Sequence, residues 1–141
     1  MHLLSLCFLF FFIAVNIDLR IDCETQSPSL SREVSKYIAL TCFQENASNP
    51  DKLTGFLQYL KKECKVTVVD IKEGSIIFTL ECRSQQILDE LWEDYCTGHL
   101  SKVAQMDLVT KDILKQFDLT SLKLTSNIKE EDYRDCRERL G

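Results

Sequence analysis

The sequence predicts an α+β sandwich, a four-stranded antiparallel sheet with helices packed on it. Three observations carry that prediction. Two β-rich runs, "KVTVVDI" and "SIIFTLEC", stand side by side, separated by a short polar turn containing Gly74. Amphipathic stretches with apolar residues three and four apart precede and follow them. The predicted element order is strand, helix, strand, strand, helices, strand, helix. A βαββαβ core of this kind is the ferredoxin-like, two-layer arrangement, here with extra helices before and after the last strand. It would keep its helices on one face of the sheet and leave the other face free.

The first strand is read in "KYIALTCF", where Ile38, Leu40 and Cys42 alternate with Tyr37, Ala39, Thr41 and Phe43. A loop, "QENASNPD", then ends in a helix start signal: Asn49 can cap the exposed amides and Pro50 suits the first helical position. The helix from about 50 to 63 carries Leu53, Phe56, Leu57 and Leu60 on one side. In the next strand Val66 and Val68 compete with Val69 and Ile71 for the inward phase. In its partner Ile76, Phe78, Leu80 and Cys82 share a face against Ile77, Thr79 and Glu81. Ser84 caps a helix in which Ile87, Leu88, Leu91, Trp92 and Tyr95 face inward, Trp92 anchoring it to the sheet; Gly98 ends it. "HLSKVAQMDLV" reads as a shorter helix, and Thr110 caps another. "TSLKLTS" is the last strand, and Asn127 with Glu130 resembles a capping box for a closing helix bearing Tyr133 and Cys136.

Three segments follow: an apolar leader over 1–22, a linker over 23–33 and one domain over 34–141. Leu3 to Val15 is thirteen residues without a charge. That is short of the roughly 20 apolar residues a spanning helix needs. Its length suits a secretory signal, yet no Lys or Arg precedes it. Signal peptide, short membrane anchor and non-structural leader all stay open, and membrane contact is expected only through residues 3–15. Beyond Cys7 six cysteines lie 14 to 40 residues apart without tight pairs, and most fall in the apolar phase of an element. Buried thiols fit that spacing better than a disulfide framework. The sequon at Asn46 matters only in a secreted chain.

Chemistry is hard to find in the sequence. The net charge of −5 disfavours a nucleic-acid partner, and the third strand lacks the basic-aromatic pattern that stacks bases. Cys96 and His99 lie three apart at a helix end, but nothing indicates a third group to hold such a pair, and "CTGH" has no second half for zinc. The carboxylates at 89–94 and 130–132 read as solvated helix faces. No catalytic residue, cofactor, metal or small-molecule substrate is expected. The remaining expectation is a protein-binding module. Its candidate face is Tyr37, Phe43, Val69, Ile71, Ile77 and Thr79, and its structural anchors are Gly74, Phe78, Leu80, Leu91, Trp92, Tyr95 and Tyr133.

The segments "GSIIFTLECRSQQILDELWEDYCTGHL", "VAQMDLVTKDIL" and "IKEEDYRDCRERL" resemble the TRADD-like N-terminal domain, over roughly residues 34 to 140. That family is named for the adaptor associated with the tumour-necrosis-factor receptor death domain. The resemblance rests on Gly74-Ser75, Leu91-Trp92, Tyr95, Gly98, Leu108-Val109-Thr110, Glu131, Tyr133 and Cys136. It implies a ferredoxin-like α/β sandwich and non-enzymatic adaptor work through protein contacts, in apoptotic or innate-immune signalling in the cytoplasm. No binding residue of the family is carried across. The alternative expectation is a secreted or membrane-tethered binding protein with disulfides and a glycan at Asn46.

Overall fold

A computed structural model describes residues 13–72 and 74–141. Most of the expected leader, residues 1–12, lies outside the described residues. Its tail does not: β1 is Val15–Glu24, with Val15, Ile17, Leu19 and Ile21 buried in strict alternation. Period-two burial of this sort is what a strand with one covered face requires. The first strand is therefore here, and not at 37–43 as expected.

The residues read as a linker and a strand form instead the long helix α1, Pro28–Ser48. Ser27 accepts a hydrogen bond from the Leu30 amide at 3.2 Å, and Pro28 occupies the first turn, where its missing N–H costs nothing. Val34, Ile38, Ala39 and Cys42 form its buried stripe, whereas Leu40 and Phe43 are exposed. Asn49 closes α1 and does not open the next helix. That helix, α2, is only Gly55–Lys62; it buries Phe56, Leu57 and Leu60.

β2 (Thr67–Lys72) and β3 (Ile76–Cys82) follow, and Gly74 between them takes φ +89°, a left-handed value that suits glycine. The register of β2 shifts between Val68 and Asp70, so the competing phases are both used. Val66 and Ile71 are buried on either side of the irregularity, and Val69 is turned out. Next come α3 (Gln85–Cys96), α4 (His99–Leu108) and α5 (Lys111–Gln116). The Ser84 and Thr110 hydroxyls cap α3 and α5 as expected. Gly98, at φ +83°, turns the chain between α3 and α4. β4 is Lys123–Asn127 and α6 is Glu130–Leu140. Asn127 belongs to the strand and Lys129 holds the N-cap position without a side-chain bond, so the expected capping box is not formed.

The architecture is α+β, with a four-stranded antiparallel sheet and six helices among the described residues. The strand order is β2-β3-β1-β4. Because β1 and β2 are both antiparallel to β3, they run parallel to each other with β3 between them. Phe78 and Leu80 of β3, Leu19 of β1, Phe56 and Leu60 of α2, and Leu88 and Leu91 of α3 meet in one core. Phe56 and Phe78 are 5.6 Å apart between ring centroids. The outer edge of β4 is closed by α4. The Gln105 amide donates to the Leu122 carbonyl and accepts from the Leu124 amide, both at 2.7 Å, and Ser101 accepts from the Ser126 amide at 2.8 Å. Side chains thus stand in for a fifth strand.

Candidate interaction face

The core uses one face of the sheet. On the other, β1 presents Asn16, Asp18, Arg20 and Asp22, β3 presents Ile77, Thr79 and Glu81, and Lys72 stands opposite Ile77 on β2. All of these are exposed or half-buried. Charges here balance one another. Arg20 pairs with Asp22 at 3.1 Å, Lys72 with Asp18 at 3.6 Å, and Arg83 with Glu81 at 3.1 Å. The Thr79 hydroxyl donates to Asp18 at 2.7 Å and ties β3 to β1. Exposed pairs of this kind add about 0–1 kcal/mol each, so the face is ordered more than it is stabilised.

The six candidate contact residues do not form one surface. Ile77 and Thr79 lie on the open face. Ile71 points into the core and is 3% exposed. Val69, at the β2 irregularity, is 45% exposed on the edge of the sheet. Tyr37 and Phe43 sit on α1, where Tyr37 packs edge-on against Phe117 at 5.6 Å. Of the structural anchors, Phe78, Leu80 and Leu91 are buried in the core and Gly74 takes a positive φ between β2 and β3. Trp92 is half-buried against that core, and it also stacks on Tyr133 at 4.5 Å with 3° between the rings and touches Tyr95 at 5.2 Å, so it fastens α3 to α6 as well. Beside the stack, Asp89 accepts from the Tyr133 hydroxyl at 2.6 Å and pairs with Arg137 at 3.1 Å. The Tyr133 hydrogen bond, with help from Arg137, holds the Asp89 carboxyl below its ordinary value.

A second polar cluster was not visible in the sequence. Asp94 of α3 accepts from the Tyr59 hydroxyl and from His99 Nδ1, each at 2.6 Å, and so joins α2, α3 and α4. A carboxylate only accepts, so the bond to Asp94 uses the His99 tautomer that carries its proton on Nδ1. His99 Nδ1 is therefore turned to Asp94 and Tyr59, and Cys96 is exposed. Tyr59, Asp94 and His99 line a shallow cleft with Cys64, and burial pushes the Cys64 thiol up to about 12, as it does those of Cys42 and Cys82. Such thiols stay protonated at neutral pH and are poor nucleophiles. The six described cysteines are free. Asn46, the sequon residue, is half-buried and its amide donates to the Val68 carbonyl at 3.3 Å, a bond that a glycan on that nitrogen would disturb. No described helix is long and apolar enough to cross a membrane.

No curated protein and no solved structure matches the chain. A family model does: it begins in the turn before α2, runs through β2, β3, α3 and α4, and ends inside α5. The resemblance read from the sequence thus holds for the middle of the chain, and residues 50–113 match the TRADD-like N-terminal domain.

Proposed function

We propose that this chain is a non-enzymatic, adaptor-type protein-interaction module, working in the cytoplasm in apoptotic or innate-immune signalling. The family match over residues 50–113 supports that reading. The interleaved strand order, with β3 between two parallel strands, supports a ferredoxin-like, split βαβ account of the fold. The observation that carries the choice of contact surface is the open face of the sheet. Its described side chains are polar or half-buried around Ile77, and its ion pairs leave both signs of charge available for docking. Rims of this kind set register and association rate more than affinity.

The experiment compares partner recovery on wild type and Ile77→Asp, with matched urea unfolding to establish that both are folded. Ile77→Asp is expected to lose the partner while keeping its unfolding midpoint. Equal recovery would remove the sheet face as the contact.

A further inference from the structure

The helical side of the molecule carries a different surface. A cleft of about 290 Å³ opens between α1, the start of α2 and the turn joining α4 to α5. Buried side chains of Ile38, Leu57, Leu108 and Ile113 line its floor. Every charged residue that lines it is acidic: Glu45 from α1, Asp107 from α4 and Asp112 from α5. That is unlike the sheet face, where acids are matched by Arg20, Lys72 and Arg83. Among the described residues none of the ion pairs takes one of the three cleft acids. One Glu45 oxygen accepts from both the amide and the hydroxyl of Thr54 at 2.7 Å, which fixes the wall between α1 and α2. Asp107 lies beside Gly55 at the start of α2, and Asp112 lines the cleft from α5.

An apolar floor under an unbalanced acidic rim selects its occupant by charge. The volume is at the small end of ligand sites, which run to roughly 300–1,000 Å³, and suits one or two side chains rather than a whole small molecule. A second copy of this chain is disfavoured, because it would bring a matching acidic rim and a net charge of −5. We propose that the cleft docks a short segment of a partner protein that presents one or two apolar side chains flanked by Lys or Arg. This rests on the interaction-module reading but assigns it a second, separate surface. Apolar side chains fill the floor; the flanking cations supply the missing counter-charge to Asp107 and Asp112.

Fluorescence anisotropy on the full chain tests it, using labelled short peptides that share a Leu-x-x-Leu core and carry either Lys/Arg or Glu flanks. A third peptide keeps the basic flanks and replaces both leucines with serine. The basic apolar peptide is expected to bind, and to weaken as salt is raised. Its Kd should rise about tenfold or more in Asp107→Lys/Asp112→Lys and in Thr41→Trp, which fills the cleft from exposed α1. Ile77→Asp should leave it unchanged. Asp112→Lys alone, at an exposed position, serves if the other variants unfold. Binding that survives Thr41→Trp, equal binding of the Glu-flanked or serine peptide, or no binding at all overturns the proposal. So does self-association that Thr41→Trp abolishes, which would make a second copy the occupant. If partner recovery falls with Ile77→Asp while no peptide binds, only the cleft is lost; if recovery responds to neither surface, the interaction-module reading goes with it.

Discussion

Replacing Gln105 with Met tests whether α4 closes the sheet. Met has nearly the same length and shape but can neither donate to the Leu122 carbonyl nor accept from the Leu124 amide. Each backbone group left without a partner costs about 1–3 kcal/mol when buried. This site is half-buried and water can reach part of it, so the two together should cost about 2 kcal/mol. With a urea slope of about 2 kcal/mol per molar, the midpoint should fall by about 1 M. Hydrogen exchange gives a local readout: the Leu124 amide should lose protection, while the Ser126 amide, held by Ser101, keeps it. Gln105→Glu should be no better than Met at neutral pH, since a carboxylate oxygen would face the Leu122 carbonyl. It should recover in part in acid, where the protonated group can donate. A Met variant with an unchanged midpoint and a protected Leu124 amide would refute the reasoning.

Other measurements bear on the core and the α3–α6 joint. Phe78 is fully buried against Phe56, and Phe78→Ala should cost about 3–5 kcal/mol in urea unfolding. A double-mutant cycle on Trp92→Ala and Tyr133→Ala should return a coupling of about 0.5–1.5 kcal/mol, the worth of a stacked aromatic pair beyond its burial. The depressed Asp89 carboxyl contributes stability that is present above its unfolded value of 3.8 and is lost as pH falls through the lower folded value. Asp89→Asn should therefore flatten the stability profile below about pH 4, read as unfolding midpoint against pH.

The sequence was most legible where burial and period agreed. β3 alternates without interruption, and the Ser84 and Thr110 caps mark helix starts that the fold uses. The first strand was missed because the run "VNIDLRIDCE", despite its alternation, follows an uncharged stretch that reads as a leader. With that strand assigned elsewhere, Ser27-Pro28 lost its meaning as a helix start. Residues 37–43 are apolar at nearly every position, so period two and the spacing Val34, Ile38, Cys42 both fit them; only tertiary contact decides. The ambiguous phase of β2 had a physical cause, since the strand changes face partway along. The site was less legible than the fold. Ile77 and Thr79 followed from β3 alternation, but the cleft draws its walls from α1, α2 and α5, segments distant in sequence. The Tyr59–Asp94–His99 cluster likewise depends on a turn at Gly98 whose direction no local pattern states.

The Gln105 and Ser101 bonds also limit how copies of the sheet can join. With β4 closed, β2 is the remaining border strand among the described residues, and there the Val68 carbonyl already takes the Asn46 amide. A sheet with one capped border has a valence of one. A strand added beside β2 ends the growth it begins, so the borders of the described sheet favour a pair over a continuous ribbon.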